Sequence, residues 1–220
     1  MAKRTTILGT YDTAAQGWTL NAWELTPAEE KTYFVDIPGG DGSLDLSTAL
    51  TDGVPKFKDR TLTIVLIRSD GDRASRETAI RNLVRELHAQ RKNIQSPDDT
   101  SHYLVGRIHV ARDFNTPAYA QVTVTVICEP WRYKNAETKT TLSASSTSRT
   151  ATLTNNGDRV VVPTLTVSGS SVNLTFGTAT IALSSGTYQW ADLLLKRGSN
   201  SLTYKGSGSV TITYREAVLE

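Results

Sequence analysis

The sequence predicts a mainly β protein in two parts, with one α-helix in the first. Three observations carry this reading. Short segments rich in Val, Ile, Leu, Thr and Tyr recur along the chain, separated by Gly, Asn and Ser turn signals. One stretch, Ala79 to Leu87, switches to helical spacing. The composition changes near residue 134: residues 134–220 hold 29 Ser and Thr but only 8 Lys and Arg and 5 Asp and Glu. Residues 1–133 hold 16 basic and 17 acidic residues. A boundary near Asn135 therefore divides a charge-rich first part, 1–133, from a Thr/Ser-rich second part, 134–220. A chain of 220 residues can bury a core in each.

In the first part, Thr32–Ile37 is dense in β-formers and predicts a strand. Leu62–Arg68 is short and β-branched, which predicts a strand buried on both faces. Tyr103–Ala111 predicts another, with Gly106 a candidate bulge. Tyr119–Cys128 alternates: Ala120, Val122, Val124, Val126 and Cys128 share one face, and Gln121, Thr123 and Thr125 take the other until Ile127 ends the polar set. The helix is expected over about 73–90. Asp70-Gly71-Asp72 offers an N-cap, with Ser75 a second choice. Ala79, Ile80, Leu83, Val84 and Leu87 make a single apolar stripe, so the helix packs on a sheet. Arg85, Arg91 and Lys92 lie toward its C-terminal end, where the helix dipole favours cations.

The second part carries only strand signals: Thr150–Leu153, Val160–Val167, Val172–Phe176, Thr178–Leu183, Leu193–Lys196, Ser201–Tyr204 and Val210–Tyr214. Asn155-Asn156-Gly157-Asp158, Ser168-Gly169, Ser184-Ser185-Gly186 and Gly198-Ser199-Asn200 separate most of them. Short strands with polar turns predict a β-sandwich, with Thr and Ser on its wet outer faces.

Composition excludes several classes. No stretch reaches the roughly 18 apolar residues of a membrane helix, so no membrane role is expected. Met1-Ala2-Lys3-Arg4 is basic, but no apolar region of about 7–15 residues follows, so no signal peptide is expected and synthesis in a cytoplasm is. A single cysteine, Cys128, allows no internal disulfide and no cysteine metal cluster. The net charge of +2 gives no case for general nucleic-acid binding.

No catalytic constellation emerges. His102 and His109 are separated by about 23 Å along an extended strand, too far to share a ligand. Together with His88 they read as structural or surface histidines, and no HExxH pattern is present. Gly39-Gly40-Asp41-Gly42 is followed by Ser43-Leu44-Asp45-Leu46 and lacks the Lys of a phosphate loop. It fails the GGxGxD calcium pattern at Leu44, so it reads as a tight turn at a strand end. Asp98-Asp99 and the Asp41/Asp45 pair read as solvated acids, and Cys128 as a small buried hydrophobe. Trp18, Trp23 and Trp131 read as packing anchors. Tyr188 and Trp190 are kept as candidate partner or glycan contacts on the sandwich. No cofactor, metal or enzymatic activity is expected.

The order of segments resembles the distal tail proteins of long-tailed, non-contractile bacteriophages. The resemblance rests on the run Ile37-Pro38-Gly39-Gly40-Asp41-Gly42-Ser43-Leu44-Asp45-Leu46-Ser47, then Lys58-Asp59-Arg60-Thr61-Leu62, the helix, Tyr103-Leu104-Val105-Gly106-Arg107, and Cys128-Glu129-Pro130-Trp131-Arg132-Tyr133. In the second part it rests on Asn155-Asn156-Gly157-Asp158, Val162-Pro163 and Gly198-Ser199-Asn200-Ser201-Leu202.

The resemblance implies a structural hub of the tail tip. Its N-terminal β-barrel or sandwich with one helix builds a homo-hexameric ring around the DNA channel. Its C-terminal galectin-like β-sandwich faces outward. Implied partners are the tail tube protein, tail-tip or baseplate hub proteins, the tape measure protein and receptor-binding proteins. DNA passes through without specific binding, and the location is the virion tail. Polar segments Arg91–Ser101 and Leu25–Lys31 are candidates to extend across neighbours. A tail tube or tail-terminator subunit with an added sandwich, and a carbohydrate-binding module for host attachment, stand as alternatives.

Overall fold

The computed structural model describes residues 5–51 and 53–220. Met1–Arg4, where no signal peptide is expected, lie outside the described residues, as does Asp52. The chain divides into two compact units, Met1–Pro130 and Trp131–Glu220, so the break precedes the composition change by a few residues. The fold class is the expected one: mainly antiparallel β, with one α-helix among the described residues.

The first unit contains β1 (Ile7–Leu8), β2 (Tyr11–Asp12), β3 (Thr19–Leu25), β4 (Phe34–Asp36), β5 (Ser43–Asp45), β6 (Arg60–Arg68), α1 (Arg73–Leu87), β7 (Arg91–Gln95), β8 (His102–Asn115) and β9 (Ala120–Cys128). Apart from β4 and β5, its strands order as β2-β1-β7-β8-β9-β6-β3. The alternation in β9 sets the core. Val122, Val124 and Val126 lie opposite Leu66, Ile64 and Leu62 of β6. Val124 and Val126 also lie opposite Val110 and Ile108 of β8. Ile80, Leu83 and Leu87 of the helix close over this face, together with Trp18. The helix covers one side only, so β6 is not buried on both faces as expected: Leu62, Ile64 and Leu66 are buried, while Thr61, Thr63, Val65 and Ile67 are half-exposed.

The Asp72 carboxylate caps the helix by accepting the Ser75 backbone N–H at 2.8 Å. The helix ends at Leu87 rather than near Gln90. His88 is already extended, and Ala89 turns left-handed with φ 62°, aiming the chain into β7. Arg91–Gln95 is thus an interior sheet strand, not a loop free to cross to a neighbour. The bulge expected at Gly106 lies between Arg112 and Phe114. Gly106 is needed for another reason: a Cβ there would meet the Ile127 carbonyl oxygen at 2.6 Å.

Arg76 is the buried polar centre of this unit, 2% exposed. Its guanidinium donates to the carbonyls of Gly71 (2.5 Å), Thr116 (2.9 Å) and Pro117 (2.8 Å). It thereby ties the start of the helix to the β8–β9 turn. Asn115 adds a donor bond to the Arg73 carbonyl at 3.0 Å. The five N–H groups of arginine suit such a multi-carbonyl clamp, which a lysine cannot reproduce.

The second unit contains β10 (Arg132–Lys134), β11 (Thr138–Ala144), β12 (Arg149–Asn155), β13 (Thr164–Phe176), β14 (Ala179–Leu183), β15 (Gly186–Gln189), β16 (Gly198–Tyr214) and β17 (Ala217–Val218). The expected Ser201–Tyr204 and Val210–Tyr214 strands are two halves of β16. Ser168-Gly169 is not a turn but a register shift inside β13. Val160–Pro163 does not belong to a strand, in keeping with a proline that has no N–H to donate. Leu193–Lys196 contributes only the isolated bridge of Leu195 to Val161.

Two long strands fold one sheet into two layers. The first layer runs β11, residues 208–214 of β16, residues 164–169 of β13, then β15. The second runs β12, residues 198–204 of β16, residues 171–176 of β13, then β14. Where the two paired strands shift register, glycine lines their close approach. A Cβ on Gly206 would meet the Ser171 carbonyl oxygen at 2.3 Å, and one on Gly208 the Ser168 oxygen at 2.3 Å. Their φ values, 140° and 136°, are closed to other residues. Leu165, Val167, Val210 and Ile212 from one layer join Leu153, Val172, Leu174 and Leu202 from the other in a single buried core. Outward positions are hydroxylated: Thr141, Thr211, Thr166 and Thr187 align across one layer, and Thr150, Thr203, Thr175 and Thr180 across the other. Facing hydroxyls bond at 3.0 Å in the Thr141–Thr211 and Thr175–Thr180 pairs.

Below the sandwich, Glu216 is a buried carboxylate, 5% exposed. Burial alone opposes its ionisation. Lys134 Nζ at 2.9 Å and the Asn156 backbone and side-chain N–H groups at 3.1 Å outweigh that cost, and its pKa falls below the ordinary value.

Three outcomes follow. Arg76→Met leaves the carbonyls it binds unpaired and lowers stability by about 3 kcal/mol or more, read from urea unfolding. Gly208→Ala combines a forbidden φ with a backbone clash and costs about 3 kcal/mol in the same measurement. Glu216→Gln costs about 1–2 kcal/mol at neutral pH. A depressed carboxylate stabilises above its unfolded pKa, so this deficit is constant above about pH 5 and shrinks as acid protonates the wild-type group. A deficit that grows on acidification overturns the assignment.

Candidate assembly interface

The surface feature that stands apart is an arm inserted between β3 and β6. Those strands pair as far as Leu25 opposite Leu62. Thr26 then closes the neck: its N–H donates to the Thr61 carbonyl at 2.9 Å, and its carbonyl accepts from Nε of the buried Arg60 at 2.7 Å. Residues 27–59 project from that neck. A bridge between Glu30 and Phe57 and a Lys58–Glu29 ion pair of 3.1 Å hold the stem. Beyond it, β4 and β5 pair only with each other. Gly39 and Gly42, both at φ 77°, permit the turn between them, in the loop that the Gly39–Gly42 run predicts.

The register makes the hairpin amphipathic. Val35 lies opposite Leu44, and the Leu46 N–H donates to the Tyr33 carbonyl at 2.8 Å. By strand alternation Tyr33, Val35, Ile37, Leu44 and Leu46 therefore share one face. Phe34, Asp36, Ser43 and Asp45 share the other, more polar face, where the Ser43 hydroxyl donates to Asp36 at 2.9 Å. The Ser47 hydroxyl and amide hold the Asp45 carboxyl below its ordinary value. The apolar face is uncovered: Tyr33 is 62% and Leu44 51% exposed, and Leu50 in the turn that follows β5 is 99% exposed. The strand expected at Thr32–Ile37 exists as β4, but it is solvent-facing. A lone hairpin is marginal in water, and covering each such side chain is worth about 1.5–3 kcal/mol.

Residues singled out from the sequence lie elsewhere and are not brought together. Trp190 is 7% exposed in the sandwich core and donates from its indole N–H to Asp192 at 2.9 Å. Tyr188 is opposite the buried Leu165 and packs against the same core. Cys128 is fully buried, and burial pushes its thiol up to about 12. The His88 and His109 rings approach to 4.8 Å, and His88 Nδ1 accepts the Val110 N–H at 3.2 Å.

One polar cluster escaped the sequence reading. His102 Nδ1 lies 2.9 Å from both Ser101 Oγ and Asp99 Oδ2, and Ser101 Oγ donates to Asp99 Oδ1 at 2.6 Å. Ser101 is the main reason that the Asp99 carboxyl falls to about 2. In a catalytic triad the serine meets Nε2 while the acid holds Nδ1. Here both crowd Nδ1, so the cluster is a clasp for the loop before β8. A cleft of about 300 Å³ between β1–β2 and the helix is lined by Tyr11, Asn82, Arg85, Glu86 and Lys92 among others, and holds no Ser, Cys or His. Among the described residues no three His, Cys, Asp or Glu side chains group as metal ligands. None of their helices is long and apolar enough to cross a membrane.

No protein-family model matches the sequence. No curated protein matches it either. Among solved structures, the chain is similar to SPP1 Dit (gp 19.1), described as a paradigm of the hub adsorption apparatus in phages infecting Gram-positive bacteria. The likeness covers 96% of this chain and 98% of that one, with a TM-score of 0.70 and 15% sequence identity. The chain thus shares the fold of that hub protein over both of its units.

Proposed function

We propose that this chain is a structural hub of a bacteriophage tail tip. Six copies close into a ring around the DNA channel and join the tail tube to the baseplate and receptor-binding apparatus. The first unit builds the ring, and the second faces outward as a platform for tail-tip proteins. The observation that carries this reading is the end-to-end likeness to SPP1 Dit, in which both units match together. It is a scaffold role, with no chemistry asked of any side chain.

The arm supplies the kind of contact a ring needs. Rings close through heterologous contacts, in which one patch meets a different patch on the next copy. The face of Tyr33, Val35, Ile37 and Leu44 has no cover within its own hairpin, and the next copy in the ring covers it.

Native mass spectrometry and negative-stain imaging of the full chain test the proposal. The expected species is a ring with six times the 24.0 kDa mass of the chain. A monomer at every concentration, both alone and with the tube protein, overturns it. The double variant Val35→Asp/Leu44→Asp is expected to keep the thermal unfolding of wild type within a few degrees, because both sites are exposed. It is expected to lose about 2 kcal/mol or more per subunit contact and to run as a monomer. Rings of unchanged stability from this variant overturn the arm's part in assembly.

A further inference from the structure

No Asp, Glu, Lys or Arg occurs between Arg159 and Asp192, the longest charge-free stretch in the chain. It builds β13, β14 and β15. β13 is interior, bonded to β16 on one side and to β14 and β15 on the other. β14 and β15 therefore end the two layers, each with one edge paired. Among the described residues, no further backbone hydrogen bond involves Ala179–Leu183. The second edge of β14 is a row of open N–H and C=O groups.

Such edges invite strand pairing, and proteins blunt them with charge, proline, bulges or brevity. The other edges here are blunted. β3 carries Glu24 and a register shift between Leu20 and Ala22. β2 has two residues. β11 carries Lys139, and β12 opens on Arg149. β15 has four residues and begins at Gly186, with φ 151°. Among the edge strands of the described residues, β14 alone has none of these devices. It reads Ala-Thr-Ile-Ala-Leu and runs in unbroken register along β13. Thr180 and Ala182 are exposed on the outer face, and Ala179 and Ile181 are half-exposed at the rim of the core.

We propose that the free edge of β14 is a docking site for an extended, uncharged segment of another protein chain, which adds as a further strand. Backbone hydrogen bonds supply the affinity, and alternate side-chain positions supply the selection. An apolar residue beside Ala179 and Ile181 extends the core, and a hydroxyl residue beside Thr180 extends the threonine row. The fitting partner therefore alternates β-branched apolar and Ser/Thr residues and carries no charge where it pairs. The site stands on the open edge and does not depend on ring formation.

The test uses the full chain and a labelled peptide of two lysines followed by four Thr-Val repeats. Hydrogen exchange is expected to slow at Ala179–Leu183 on peptide addition, and fluorescence anisotropy to give saturable binding. The double variant Thr180→Lys/Ala182→Lys is expected to weaken binding at least about tenfold with exchange elsewhere unchanged. Should that variant fold poorly, a Thr-Pro peptide of equal length with wild-type chain replaces it, since it cannot form the ladder. No slowing at β14 with peptide up to about 1 mM overturns the proposal. So does equal binding by the lysine variant or by the Thr-Pro peptide. A peptide-free dimer protected at β14 overturns the assignment to a foreign chain.

Discussion

A β-strand leaves two faces and two edges to satisfy, and a buried N–H or C=O without a partner costs about as much as a lost hydrogen bond. This constraint organises the whole protein. In the first unit, β9 spends its valine face on the core under the helix and both its edges on β6 and β8. In the second unit, β13 and β16 serve two layers each, and glycine lets their paired backbones come close at the register shift without side chains in the way. Where chain geometry cannot supply a strand, a side chain does so. Arg76 takes up the loop carbonyls at the start of the helix, and Glu216 takes up the Asn156 N–H.

The same accounting locates what is left open. The hairpin of β4 and β5 has an apolar face with no cover of its own, and β14 has an edge with no partner and no guard. The hub role proposed above calls for surfaces of this sort. The polar clusters agree in character. Asp99, Ser101 and His102 bond in a way that fastens a loop, and the Cys128 thiol is held protonated by burial. The hairpin face and the β14 edge instead present apolar side chains and backbone amides, which are the recognition chemistry of protein assembly.

Much of the fold was legible in the sequence. The alternation of Ala120 to Cys128 identified the buried face of β9, and the stripe from Ala79 to Leu87 with Asp72 before it identified a capped helix. Errors collected where local signals have two meanings. Ser168-Gly169 carries the composition of a turn, yet the glycine serves a close approach to its paired neighbour Gly208. Tyr33 to Ile37 carries the composition of a core strand, yet the core is elsewhere. Trp190 and Tyr188 show the same ambiguity, because an aromatic residue reads alike in a core and on a platform. The Asp99–His102 clasp was missed because loop acids usually point to water.

By itself, the sequence determined the mainly β class, the helix of the first part and the two-part composition. These depend on periodicity and residue type, which are local along the chain. Only the tertiary structure decided which faces and edges remain bare. Whether Val35 or Ala182 is covered depends on strands distant in sequence, and on where β13 and β16 shift register. Burial is a property of what arrives from elsewhere in the chain, so the arm and the β14 edge became visible only once every other strand had found its partner.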